Sequence, residues 1–250
     1  MLFLLTALSK MKEPKDGGSR IAIIHNGSPL FTADAGSGPS DIRKYILEND
    51  LLEAIIALPN DIFYNTGIAT YIWLLSNKKA GTRRAGKVQL INASGLYEKR
   101  RKALGNKRND IPESAIAEIT RLYGDFEESD ISKIFDAADF GYTKITLERP
   151  LRDENGQLIL KKGKPQPDAN LRDTENVPLK EDIQAYFQRE VLPFAPDAWL
   201  DEKKARVGYE IPFARYFYRY EAPRPSAEIK QEILAIEAEL DGALAEVFRE

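Results

Sequence analysis

Two apolar runs joined by a short aromatic loop constrain this chain more than any other feature. Residues 55–58, IIAL, are long enough for a buried strand and too short for a helix, and Pro59 stops them. Residues 68–75, IATYIWLL, form a second run rich in β-branched and aromatic side chains. The loop between them, residues 60–67, has turn formers at both ends and the pair Phe63-Tyr64 in the middle. A loop this short has no room for a helical crossover, so the two strands must be antiparallel neighbours. Loop aromatics are costly to leave in water. This pair therefore either packs inward or holds a flat ligand.

Composition narrows the classes. The chain has 250 residues, enough for one good-sized core or a core with an appendage. Its net charge of -3 gives no global attraction to nucleic acid or an acidic membrane, so a DNA contact needs a local basic patch. The absence of cysteine excludes disulfides, thiolate nucleophiles and Cys-ligated zinc, and fits a cytoplasmic location. One histidine, His25, rules out any site that needs two. The apolar start MLFLLTAL is too short to span a bilayer and lacks a signal peptide's basic leader. It reads as a helix entered midway, which places the natural beginning upstream.

Taken in order, residues 2–11 read as a helix and Gly17-Gly18 as a turn. Residues 20–25, RIAIIH, read as a strand buried on both faces, as in a parallel sheet. Residues 32–40 form a flexible loop, after which Ser40 or Asp41 caps a helix over 42–48 with Ile42, Tyr45 and Ile46 on its buried face. Residues 87–92 give a further strand, and residues 97–108 are strongly basic. A helix over 112–123 places Ile116, Ile119, Thr120 and Tyr123 on one face. A strand over 140–148, a turn at 153–156, a polar loop over 161–178 and a short helix over 183–192 follow. Ser226 caps a final helix whose apolar positions Ile229, Ile233, Ile236, Leu240, Ala243 and Val247 form a heptad seam.

Neither a phosphate loop nor a metal motif is visible, and nothing in composition or spacing marks an active site. Three places could carry chemistry. His25, Asn26 and Ser28 end a buried strand, where open α/β sheets place ligands; a turn with satisfied polar groups explains them as well. Phe63 and Tyr64, with Asn65 and Thr66, are either core filler and turn or a stacking platform for a base drawn from a duplex. Lys99, Arg100, Arg101, Lys107 and Arg108 are either a solvated face or contacts to a nucleic-acid backbone. The terminal seam serves internal packing or a partner helix.

Several stretches together resemble the modification subunit of type I restriction-modification systems, an N6-adenine DNA methyltransferase. They are RIAIIHNGSPLF, TADAGSGPSDIRKYILEND, ALPNDIFYNTGIATYIWLLSNK, KVQLINAS, LGNKRNDI and FGYTKITLERPL, with GYEIPFARYFY near the end. The resemblance implies an α/β fold: the C-terminal half, strands five to seven, of a Rossmann-like sheet that uses S-adenosyl-L-methionine. A mixed α+β segment and a long helix would follow it. It implies boundaries at 1–98 for the catalytic part, 99–150 for an extension, 151–225 for an irregular segment and 226–250 for a subunit-association helix. Phe63 would stand against the target adenine, with Tyr64, Asn65 and Thr66 beside it and His25, Asn26 and Ser28 bordering the cleft. The glycine-rich donor loop and the Asn-Pro-Pro-aromatic motif do not occur in this sequence. The chain alone is thus expected to be inactive and to bind no methyl donor, and no metal is implied. The implied partners are DNA, a specificity subunit on the Ile229–Val247 seam, a restriction subunit, and an N-terminal half as a separate chain; no membrane is implied. The alternative is a non-catalytic assembly module that occupies a specificity subunit.

Overall fold

The computed structural model describes residues 1–220 and 222–247, with side chains to residue 243 in the last helix. The chain divides into two units, Met1–Tyr216 and Phe217–Glu250.

The first unit opens with helix α1 (Leu2–Leu8), strand β1 (Arg20–Asn26), the one-turn helix α2 (Ser28–Phe31) and helix α3 (Gly38–Glu48). Strands β2 (Leu52–Ala57), β3 (Thr70–Ser76) and β4 (Lys87–Asn92) follow. A hairpin, β5 (Glu98–Leu104) and β6 (Lys107–Asp110), leads to helix α4 (Glu113–Asp125) and strand β7 (Ser132–Asp136). Five of these strands make one sheet in the order β1-β3-β2-β4-β7. β3 runs antiparallel to both β1 and β2, β2 is parallel to β4, and β7 closes the far edge antiparallel to β4. The short loop after Pro59 therefore forces the antiparallel turn expected of it. The carboxyl ends of the parallel strands β1, β2 and β4 lie at one end of the sheet.

Side chains alternate across this sheet. One face carries Ile55, Trp73, Leu75 and Leu90, all fully buried. The other carries Ile56 and Leu58, which join Ile91, Ala93 and Leu122 in a core that Ile119 and Tyr123 of α4 complete. Glu53 is buried in β2, where Tyr123 Oη donates to it at 2.5 Å and Arg20 pairs with it at 3.3 Å. Burial, then the Glu53 carboxylate, pushes the Tyr123 hydroxyl up to about 12.

β1 departs from its expected burial. Its residues alternate between exposed and half-buried, because among the described residues β3 is its only strand neighbour and it forms the sheet's free edge. α3 also departs. It starts at Gly38 after Ser37, so Ser40 lies inside the helix, buried and accepting a bond from Tyr209 N at 3.1 Å. Its buried positions are Ser40, Arg43, Ile46 and Leu47, while Tyr45 faces water.

Strand β8 (Gly141–Glu148) begins a second sheet. The turn at 153–156 forms, and short strands β9 (Leu160–Lys161) and β10 (Lys164–Pro165) pair beyond it. The stretch expected to be all loop contains β11 (Asp173–Pro178), which pairs with β8 and buries only Val177. Helix α5 (Ile183–Tyr186) continues as a π-turn to Val191. Strands β12 (Trp199–Leu200) and β13 (Arg206–Tyr209) both pair with β8, and helix α6 (Phe213–Phe217) follows. The buried Glu148 carboxylate is held by Arg172 at 2.9 Å and Lys204 at 2.7 Å.

The second unit contains helix α7 (Ser226–Val247). Among the described residues, no helix is long and apolar enough to cross a membrane.

Candidate functional site at the carboxyl ends of the parallel strands

The residues singled out in the first unit gather at the carboxyl end of the sheet, in two groups. The first lies where β1 ends. A cleft of about 440 Å³ is lined by His25, Asn26 and Ser28 together with Met1, Pro29 and Pro39 among others. His25 stands opposite Tyr71 in the sheet and meets the Trp73 ring edge-on, with centroids 6.0 Å apart. Its Nε2 is buried and has no hydrogen-bond partner. Burial, then the positive amino terminus, holds the imidazole below its ordinary range, so it is neutral near pH 7. The residues lining this cleft include no carboxylate. The ribose hydroxyls of a nucleoside sulfonium donor such as S-adenosylmethionine would find acceptors here in Asn26, Ser28, Thr32 and His25 Nε2, but no lining side chain offsets the sulfonium charge, so the lining does not single out that group.

One buried side chain shapes this cleft and carries no sequence signature. Arg43 on α3 is completely buried and, among the described residues, forms no direct ion pair. It donates instead to main-chain carbonyls: Pro29 at 3.0 Å, Thr32 at 2.9 Å, Ala33 at 3.3 Å and Tyr209. Pro29 and Thr32 line the cleft, and Ala33 holds a φ of 73°. The GYEIPF segment thereby braces the cleft wall, since Ile211 N also donates to Leu30 O at 2.8 Å.

The second group lies where β2 ends. Phe63 bridges back to Thr66, leaving Tyr64-Asn65 at the tip of a tight turn. Phe63 is half-buried, whereas Tyr64 is 65% exposed and Asn65 is exposed. Neither Phe63 nor Tyr64 lines the cleft beside His25. The loop instead meets the basic stretch, which folds as the β5–β6 hairpin. Asn106 N donates to Tyr64 O at 2.9 Å, and Arg108 N and Asn109 N donate to Asp61 O at 2.8 and 3.1 Å. The charges on the hairpin are not equivalent. Asp110 takes up Arg100 and, at 2.8 Å, Lys107, and the Lys107 bond is the main reason its carboxyl lies below the usual range. Lys99, Arg101, Lys102 and Arg108 are exposed and, among the described residues, form no ion pair. Gly105-Asn106, a two-residue turn between strands, is the signal by which the hairpin could have been found in the sequence.

The terminal seam stands apart. Ile229, Ile233, Ile236 and Leu240 are 43%, 52%, 64% and 59% exposed, and the side chain of Val247 lies outside the described residues. Among the described residues, no group of His, Cys, Asp or Glu could hold a metal ion.

Comparison with known proteins finds relatives of this chain. The chain is 34% identical over 112 residues to the Type I restriction enzyme MjaIX methylase subunit of Methanocaldococcus jannaschii, a match covering 44% of this chain and 19% of that one. It is 30% identical over 119 residues to the Type I restriction enzyme HindI methylase subunit of Haemophilus influenzae, covering 48% and 21%. The chain thus spans about a fifth of the length of the curated relatives it matches. Among solved structures, the type I restriction-modification system methyltransferase subunit from Streptococcus thermophilus aligns with a TM-score of 0.46 at 28% identity, over 56% of this chain and 27% of that one. Residues 1–149, more than half of the chain, match the family N-6 DNA Methylase, and the chain belongs to that family.

Proposed function

We propose that this chain is the C-terminal part of the modification subunit of a type I restriction-modification system, an adenine-N6 DNA methyltransferase. The observation that carries this reading is the order β1-β3-β2, in which an antiparallel strand sits between two parallel ones. On this reading β1, β2 and β3 are strands five, six and seven of a Rossmann-like methyltransferase sheet. The family match over residues 1–149 supports it.

Phe63 forms one wall of the target-adenine pocket, with Tyr64, Asn65 and Thr66 alongside, and His25, Asn26 and Ser28 border the same end of the sheet. A base drawn from a duplex loses its stacking partners, and an aromatic face restores that contact whatever the base. Lys99, Arg101 and Arg108 neutralise nearby phosphates, while Arg100 and Lys107 are already engaged by Asp110. S-adenosyl-L-methionine supplies the methyl group in the complete enzyme. Its binding loop and the Asn-Pro-Pro-aromatic motif are absent from this sequence, so the chain alone is inactive. A polypeptide carrying the preceding strands pairs with the free edge of β1, and a restriction subunit joins the full cytoplasmic complex. Replacing Phe63 with Ala in the complete enzyme should slow methyl transfer. Base stacking is worth about 1–3 kcal/mol, which is about a 5- to 150-fold loss of rate. An unchanged rate removes Phe63 from the pocket.

A second reading is a non-catalytic module that occupies a specificity subunit through the exposed seam Ile229, Ile233, Ile236 and Leu240. Both readings place a helix of the specificity subunit on that seam. Deleting residues 226–250 should abolish co-purification with a specificity subunit; an intact association refutes the seam.

A further inference from the structure

We infer that the β5–β6 hairpin is the brace that sets the Tyr64 loop, with Asn109 and Gly105 as positioning residues, so that phosphate contact on the hairpin and display of the Tyr64 ring are mechanically coupled. The phosphate half of this inference rests on the proposed role in DNA methylation. The brace itself rests on geometry alone.

The loop is held only in part by its own contacts. Among the described residues, those within 60–69 include the Phe63–Thr66 bridge, a bond from Ile68 N to Thr66 Oγ1 at 3.3 Å and the Asp61 side chain close against Gly67, while Ile62 packs on the core. Asp61 sits at a φ of 57°, in the left-handed region that Asp enters more readily than most residues. The hairpin holds its carbonyl in place. The amides of Arg108 and Asn109 both end on the Asp61 carbonyl, and Asn109 Nδ2 donates to Asn60 O at 2.9 Å. The turn of the hairpin lies directly against Tyr64. A Cβ at Gly105 would come within 2.8 Å of Tyr64 O and 3.2 Å of its ring, and Gly105 has a φ of 59°. Only glycine allows both that backbone angle and that approach. The exposed ring of Tyr64 is therefore held from behind by the hairpin turn.

Arg108 joins the two functions in one residue. Arg108 is exposed and, among the described residues, without an ion pair, while its amide is bonded to Asp61. A phosphate bound by the Arg108 side chain engages the same residue whose amide anchors the loop. Arg101 is likewise exposed, but no bond joins it to the loop. The pair separates charge from bracing.

Amide hydrogen exchange on the 250-residue chain, with and without a duplex oligonucleotide, tests this. Without DNA, Asn109→Ala should speed exchange over residues 60–67 by about five- to tenfold, the loss of one hydrogen bond, while Arg101→Ala leaves that stretch unchanged. Gly105→Ala should speed it further. Unchanged exchange at 60–67 in both Asn109→Ala and Gly105→Ala overturns the brace. With DNA, both 98–110 and 60–67 should slow in the unaltered chain. Asn109→Ala should keep the slowing at 98–110 and lose it at 60–67. Slowing confined to 98–110 in the unaltered chain overturns the coupling. Slowing in neither stretch overturns the phosphate contact and with it the coupling, while the DNA-free comparison still decides the brace.

Discussion

The tripeptide Ala-Ile-Ile occurs on both sides of β3, in the same register and direction. Ala22, Ile23 and Ile24 of β1 face Leu74, Trp73 and Ile72, and on the other flank Ala54, Ile55 and Ile56 of β2 face the same three residues. The chemistry is identical and the outcome is not. Ile56 is 5% exposed and Ile24 is 50% exposed. β2 has β4 on its far side and α4 over one face; β1 has no strand beyond it. A run of apolar residues thus states what a strand can bury, and its neighbours decide what it does bury. An unpaired strand edge with bare apolar faces is an open docking site and an aggregation hazard.

The largest effect that separates the two flanks is on stability. Ile56→Ala should destabilise the chain by about 2–5 kcal/mol, because it empties a packed site. Ile24→Ala should cost less than about 1 kcal/mol, as a change at a half-exposed position does. Denaturant melts of the two variants measure this. Equal losses would mean that β1 is buried in solution by self-association or a partner.

A smaller effect comes from the last matched position. His25 and Ala57 both face Tyr71. Burial keeps His25 neutral in the fold, so its folded value lies below the ordinary 6.5. The stability this contributes is present above pH 6.5 and is lost as pH falls through 6.5 toward the lower folded value. Because the chain has one histidine, its imidazole resonances can be followed by NMR without assignment ambiguity. A titration midpoint at or above 6.5 would contradict the buried, unpartnered Nε2.

The elements that were legible in the sequence were those whose signal is local. The antiparallel pair β2–β3 follows from Pro59 and the length of the loop. The α4 helix follows from its periodicity, but of the four positions expected on its buried face only Ile119 and Tyr123 reach the core; Ile116 and Thr120 are exposed, and the buried residues are Ala115 and Leu122. The hairpin β5–β6 was not legible by periodicity, because charged residues occupy both of its faces. β11 was hidden for the same reason, since DTENVP buries only Val177. Arg43 reads as a surface residue until the carbonyls it satisfies, Tyr209 among them, are brought to it from distant segments. Of the candidate site, the residue types were legible. Their grouping was not, because the contact of Tyr64 and Asp61 with residues 106–109 spans more than forty positions.

The central proposal is that this chain completes a methyltransferase and is not one by itself. The direct test is transfer of labelled methyl from S-adenosylmethionine to duplex DNA. The purified chain is assayed alone and mixed with a polypeptide carrying the preceding strands, the glycine-rich loop and the Asn-Pro-Pro-aromatic motif. The claim predicts no label on DNA from the chain alone and label at adenine N6 from the mixture. Label on DNA from the chain alone would contradict it.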